Sequence, residues 1–187
     1  MRQYRILWIS LAVLILDQIT KLIVKSTMSI HDSIPVLGNF FRLTYIENPG
    51  MAFGIRVADN TFFTVFALVA SVAILVYLFK MQSEHFVARF ALAIIFGGAV
   101  GNLSDRIIRG RVVDFFDFEF FDINIPPFQF LFVNFPGYSL DRWPVFNIAD
   151  MAVSIGMVLL LVFVTFSSEP NEVASKVAEE TETEIIR

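Results

Sequence analysis

Four apolar stretches, at about 6–24, 61–79, 87–106 and 146–166, constrain this chain more than anything else in it. Crossing about 30 Å of hydrocarbon takes roughly 20 helical residues at 1.5 Å each, and each stretch reaches that length. The composition agrees: 56% of the 187 residues are hydrophobic and 22 are phenylalanine, more apolar surface than a soluble domain of this size needs. The expected fold class is therefore an all-α integral membrane protein with four transmembrane helices. One membrane domain is expected over residues 1–167 and an acidic tail over 168–187. The opening MRQYR before an apolar run resembles a signal peptide, but no small-x-small cleavage site follows it. The stretch DQITKLIV extends the run to full spanning length, so the first span is expected to be retained.

Several function classes fall away on composition. With no cysteine, disulfides, thiolate catalysis and Cys-based metal sites are excluded. The net charge of −4 owes much to the tail, where six of the 18 acidic residues occupy the last 20 positions. No basic face suited to nucleic acid is present. The tail is also free of aromatic residues, as expected of a disordered segment or a frayed helix.

Four spans put both ends of the chain on one side and the two long connections, about 25–60 and 107–145, together on the other. Arginine and lysine do not orient the bundle by count. Six lie on the terminal side (Arg2, Arg5, Lys80, Arg89, Lys176, Arg187) and seven on the other (Lys25, Arg42, Arg56, Arg106, Arg109, Arg111, Arg142), although Arg2 and Arg5 mildly favour a cytoplasmic start. In the long connections FFRLTYIE, VVDFFDFEFF and FQFLFVNF are strand-like. Their phenylalanines, with Tyr138 and Trp143, suit a layer lying against lipid headgroups.

Against this apolar background four polar clusters stand out: Asp17 with Lys21, NPGMAFG at 48–54, GGAVGNLSDR at 97–106 running on to VVDF at 112–115, and FNIAD at 146–150. Asp17 and Lys21, four apart on one helix face, can pair. A structural ion pair and a catalytic role both fit them, with a supporting role favoured. Turn chemistry accounts for Pro49, Gly50 and Gly54, leaving Asn48 free to hold a peptide backbone. Gly97, Gly98 and Gly101 fit close helix packing. Asn102 and Arg106 share a face and point donors towards the outer end of the bundle, while Asp105 is expected only to offset local positive charge.

The two remaining acids are the most informative. An aspartate at the centre of a span costs roughly 2.5–3.5 kcal/mol on insertion, so Asp150 needs a reason to open the fourth span. Span three exits on the face of the long connections and Asp114 follows shortly; span four starts from that face with Asp150 about one turn in. Both carboxylates are thus expected at one depth, just inside one interface. Two carboxylates close together in a low dielectric share a proton, giving a base for water and an acid for a leaving amine. Spacing alone also allows ion coordination or helix capping. No rival catalyst is offered: His31 and His85 fall on opposite sides, and neither G-x-S-x-G nor H-E-x-x-H occurs.

Taken in order along the chain, DQITK, NPGMAFG, GGAVGNLSDRIIRGRVVDF and FNIAD resemble the lipoprotein signal peptidases, or signal peptidase II, over most of residues 6–166. The resemblance implies a four-helix membrane aspartyl protease with a small extracytoplasmic β-cradle and an interfacial helix. Its catalytic aspartates fall on Asp114 and Asp150. Its substrate-holding and dyad-supporting residues fall on Asn48, Gly50, Asn102, Arg106 and Asn147, with Asp17 and Lys21 in support. No cofactor or metal is implied. The implied partners are diacylglyceryl-modified prolipoproteins, membrane lipids and cyclic peptide inhibitors of the globomycin type, acting on a monomer. The implied location is the bacterial inner membrane, with cytoplasmic termini and an extracytoplasmic site. Two features depart from the family pattern: the long, phenylalanine-rich stretch 117–144, and the acidic tail. An ion-coupled carrier or small channel using intramembrane carboxylates is the alternative reading, although the internal repeats common in carriers are not seen.

Overall fold

A computed structural model describes residues 3–52, 55–56, 60–81, 86–120 and 123–167. The acidic tail, Gly54 and His85 lie outside the described residues. Four helices are long and apolar enough to span a membrane: α1 (Leu7–Thr27, after a 3-10 turn at Gln3–Ile6), α2 (Asn60–Lys80), α3 (Phe86–Arg109) and α4 (Ile148–Ser167). The third is the hub. It is mostly buried, whereas the other three are mostly exposed, and it packs on all three. Small residues allow this approach. A Cβ on Gly97 would sit 2.6 Å from the Ser10 carbonyl oxygen, and one on Gly98 would strike the Ala149 carbonyl oxygen.

The chain is not all-α, which corrects the sequence expectation. Among the described residues nine strands occupy the connections: β1 (Ser33–Leu37), β2 (Phe41–Asn48), β3 (Met51–Ala52), β4 (Ile55–Arg56), β5 (Val112–Phe118), β6 (Ile123–Ile125), β7 (Phe128–Phe130), β8 (Val133–Phe135) and β9 (Tyr138–Leu140). The segments read as strand-like in sequence became β2, β5 and the β7–β8 hairpin. Their aromatic and β-branched residues fit a pleated surface, and the topology lays the two long connections side by side. The main sheet runs β1-β2-β5, antiparallel throughout, with Ile46 opposite Asp114 and Asn48 opposite Val112. It closes one end of the bundle through a core of Val24, Tyr45, Val113 and Phe115, joined by Ile148. The described residues contain no separate interfacial helix.

Two helix boundaries position the polar residues. Helix α3 runs three residues beyond the expected 106 and stops at Gly110, whose φ of +74° and N–H to the Arg106 carbonyl (3.1 Å) form a helix-ending turn. Helix α4 starts at Ile148, not 146. Phe146 instead pairs with Phe116, accepting from the Phe115 and Phe116 N–H groups (3.1 and 2.8 Å) and donating to the Phe116 carbonyl (3.1 Å). Strand pairing therefore holds the chain extended until Asn147, which becomes the residue that caps α4.

Candidate active site

Asn147 and Asp150 cap α4 reciprocally. The Asn147 Oδ1 accepts from the Asp150 N–H at 3.0 Å, and the Asp150 Oδ2 accepts from the Asn147 N–H at 3.1 Å. This is a capping box, in which two otherwise unpaired helix-end donors are satisfied at once. The next free donor, the Ala149 N–H, goes to the Asp17 Oδ1 at 3.0 Å. The Asp150 Oδ1 remains for Asn102, whose Nδ2 donates to it at 2.7 Å.

Asp114 is delivered from the other side by β5. It is 2% exposed. Its Oδ1 accepts from the Asn147 Nδ2 at 2.6 Å and its Oδ2 from the Asn48 Nδ2 at 3.2 Å. Asn48 is in turn oriented by the Gly50 N–H, which donates to its Oδ1 at 2.9 Å. Gly50 has φ +113°, a conformation that favours glycine. Burial, and then the neighbouring Asp150 charge, pushes the Asp114 carboxyl up to about 7, against the opposing pull of the Asn48 and Asn147 hydrogen bonds and the more distant Lys21. Asp114 and Asp150 line one cavity of about 510 Å³, whose wall also includes Trp143, Pro144, Val145 and Phe146.

A charged layer lies behind the two carboxylates. The Lys21 Nζ, fully buried, meets the Asp17 Oδ2 at 2.8 Å and the Asp105 Oδ2 at 2.9 Å, and donates to the Asn102 Oδ1 at 2.9 Å. Gly101 makes room for this, since a Cβ there would lie 2.7 Å from the Asp17 Oδ2. Asp105 is completed by Arg109, by the Gln18 Nε2 (3.3 Å) and by the Val113 N–H (3.2 Å). Asp17 thus bonds the backbone just before Asp150, Asp105 the backbone just before Asp114, and a single ammonium joins both.

A sequence model described as "Signal peptidase (SPase) II" matches residues 9–166. The chain belongs to the signal peptidase II family. A lipoprotein signal peptidase of Desulforapulum autotrophicum is 38% identical over 172 residues, covering 89% of this chain and 95% of that one. One from Syntrophus aciditrophicus is 41% identical over 155 residues (80% and 85%), and one from Alteromonas mediterranea 39% over 191 residues (98% and 94%). A solved bacterial membrane enzyme superimposes with a TM-score of 0.72 at 32% identity, covering 90% of this chain and 92% of that one. Family membership makes the chain a peptidase, and the four apolar helices make it a bacterial integral membrane protein.

Set in this signal peptidase II framework, the residues singled out by sequence divide into three groups. Asp114, Asp150, Asn48, Gly50, Asn102 and Asn147 meet in one hydrogen-bonded cluster, with Asp17 and Lys21 directly behind it. Arg106 lies on the same side of α3 as Asn102, and the two line a second cavity, of about 310 Å³, with Asp150. The Arg106 Nη1 donates to the Asn102 carbonyl at 3.4 Å, and its guanidinium lies 5.7 Å from the Phe63 ring centroid. Asp105, read as a local charge offset, is fully buried in the Lys21 network. The usable signal was its i, i+3 spacing from Asn102, which puts both on the Lys21 side of α3. Gln18 and Arg109 were missed altogether, because an adjacent glutamine and a helix-end arginine look like ordinary interfacial residues.

Proposed function

We propose that this chain is a membrane aspartyl endopeptidase that removes the signal peptide from diacylglyceryl-modified prolipoproteins, cutting just before the lipidated cysteine. The description shared by the relatives, lipoprotein signal peptidase, supports the substrate class. One observation carries the assignment of the catalytic pair: Asp114 and Asp150 face one cavity, and each oxygen of each carboxylate accepts one neutral amide donor. In this reading the pair holds a single proton. The ionised carboxylate takes a proton from water as its oxygen attacks the scissile carbonyl carbon. The protonated one then gives its proton to the departing amine as the C–N bond breaks. Asn102 and Asn147 orient the pair, and Asn48, with Gly50, holds the substrate backbone beside Asp114. Lys21 and Asp17 support the cluster from behind, and Arg106 holds substrate or supports the pair from the cavity it shares with Asn102 and Asp150.

In the same reading the membrane domain is 1–167 and the tail 168–187 is cytoplasmic. The protein sits as a monomer in the inner membrane with both termini in the cytoplasm, the site opens at the extracytoplasmic face, and the β1-β2-β5 sheet is the cradle. Acyl chains of the substrate lie in the bilayer beside the cavity, which is also where globomycin-type cyclic peptides bind. The ion-coupled carrier reading has no support, since the family is one of peptidases. The test is incubation of the purified protein with a diacylglyceryl-modified prolipoprotein. A mass loss equal to the signal peptide is expected, with the unlipidated precursor left intact. A lipidated precursor that stays whole in the presence of folded protein would overturn the proposal.

A further inference from the structure

We propose that the β7–β8 hairpin is a membrane-docking element whose partner is the lipid bilayer surface. No Asp, Glu, Lys or Arg occurs anywhere from Ile123 to Leu140. At the hairpin tip Phe130, Leu131 and Phe132 are 67%, 73% and 98% exposed, and behind them Phe128 packs on Phe135 with ring centroids 4.9 Å apart. An exposed run of this kind is the signature of a surface that meets something apolar. Leu131 adds an independent sign. Its φ of +53° is a left-handed conformation that glycine or asparagine adopts far more readily than leucine. The turn thus keeps a large apolar side chain, exposed, where a small residue would be less strained, and a local rule broken in this way marks a functional position.

The placement of the hairpin selects the occupant. Its base is polar and fixed. The Arg142 guanidinium reaches the Asp117 Oδ1 (2.7 Å), the Glu119 Oε2 (2.6 Å) and the Asn39 carbonyl (2.9 Å), and the Trp143 N–H donates to the Phe118 carbonyl (2.8 Å). Charge therefore collects at the base and is missing from the tip. The segment also runs between Arg109, where one span ends, and Ile148, where the next begins, so its base stands where the chain leaves the hydrocarbon. The apolar tip is carried by a segment whose two ends both join membrane-spanning helices. Aromatic rings at that level are the residues a bilayer interface accepts best. Because Trp143, Pro144, Val145 and Phe146 wall the site cavity, docking would hold that wall against the bilayer. The docking itself does not depend on the reaction proposed above.

The chain has no cysteine, so a single one gives a unique label. Phe132→Cys and Asp141→Cys, each carrying an environment-sensitive fluorophore, are placed in phosphatidylcholine nanodiscs with and without nitroxide-labelled acyl chains. The label at 132 is expected to emit to the blue of the label at 141, to be quenched by the nitroxide lipid and to resist aqueous iodide, while the label at 141 behaves in reverse. Adding Phe130→Ser should lower the lipid quenching at 132. A label at 132 open to iodide and untouched by the nitroxide lipid would overturn the proposal. So would excimer formation between pyrenes at 132, which would show that the hairpin meets a second copy of the chain instead.

Discussion

Replacing Lys21 by methionine tests the layer that holds the site together. The methionine keeps most of the apolar stem, so the change removes a charge more than it removes volume. In the native structure the ammonium lies 2.8 Å from Asp17 and 2.9 Å from Asp105, all three groups being fully buried. Removing one member of a buried ion pair costs about 3–5 kcal/mol, because an uncompensated charge is left behind. The two carboxylates will not suffer equally. Asp105 keeps Arg109, Gln18 and the Val113 N–H, whereas Asp17 keeps only Gln18 and the Ala149 N–H. The loss should therefore fall mainly on Asp17 and on the start of α4. For a protein of this size it amounts to a drop of about 6–20 °C in Tm. The double variant Lys21→Met/Asp17→Asn should recover only part of this, since Asp105 still lacks its second cation. The assay is thermal unfolding in detergent of the parent, both single variants and the double variant, read as a double-mutant cycle. A Lys21→Met protein melting within about 2 °C of the parent, on the same scale, would refute the reasoning, as would full recovery in the double variant, which would reduce the network to a simple pair.

Other outcomes are expected as well. Asp114→Asn and Asp150→Asn should each reduce cleavage to near background, with the double variant little worse than either, as for groups that act together; robust turnover by one of them would remove it from the catalytic pair. The high-pH limb of kcat/KM should lie near 7, where Asp114 loses its proton, and a flat profile through pH 8 would place the essential proton elsewhere. Gly101→Ala should lower stability by about 1–3 kcal/mol in a melting experiment, because its Cβ would come within 2.7 Å of the Asp17 Oδ2. An accessibility tag at Ser139 should report the side of the membrane opposite to a tag on the N-terminus, and labelling of both from one side would undo the common depth of the two carboxylates.

The Asp114 shift also fixes a sign for stability. A carboxyl whose pKa is raised in the folded state favours folding only while it is protonated. The contribution is complete below about pH 4, where the unfolded chain is also protonated, and is lost as pH rises to about 7. At neutral pH, Asp114→Asn should therefore stabilise the protein, by an amount between about 1 and 4 kcal/mol, and this gain should vanish near pH 4. The lower end allows for the Asn48 amide, which would meet an amide in place of one carboxylate oxygen. Equilibrium unfolding in detergent at pH 4 and pH 7.5 measures the difference. Destabilisation by Asp114→Asn at pH 7.5 would show that its hydrogen bonds outweigh its burial cost.

What could be read in the sequence was whatever obeys a short period. The helices follow from 20-residue apolar runs, and β2 and β5 from alternation within loops. The shared depth of Asp114 and Asp150 follows from counting spans. What escaped depends on contacts between segments far apart in the chain. Nothing local tells that Phe146 pairs with Phe116 and so delays α4 by two residues, making Asn147 its cap. Nor does local sequence reveal that Lys21 is shared between Asp17, four residues before it, and Asp105, 84 residues after it. The i, i+4 rule found the first partner because that partner is local. Asp105 looked expendable because its partners in Gln18, Lys21 and Val113 come from other elements. Helix capping, one of the roles that spacing allows for Asp150, is combined in the structure with a hydrogen bond from Asn102.

The position of the cation is the part of this arrangement with the clearest chemical consequence. Among the described residues no lysine or arginine forms an ion pair with Asp114 or Asp150; their direct donors are the amides of Asn48, Asn102 and Asn147 and one backbone N–H. A cation in direct contact would hold a carboxylate ionised and deprive the pair of its acid. Amides orient the oxygens and favour the ionised form of Asp114 less than its burial opposes it. Yet the site still needs a rigid support, and Lys21 supplies it from one residue further back, through the Asn102 Oδ1 (2.9 Å) whose Nδ2 then reaches Asp150 (2.7 Å). In the proposed mechanism Asn102 would thus be the insulating step between a fixed charge and a mobile proton, a position in which a side chain must accept from an ammonium and donate to a carboxylate at once. Among uncharged side chains an amide offers both groups on one rigid plane. An aspartate has no donor for Asp150 when ionised. The same logic explains why asparagine occurs three times around two aspartates in a chain otherwise so apolar: at each of the three positions the site requires a polar group that orients and does not titrate.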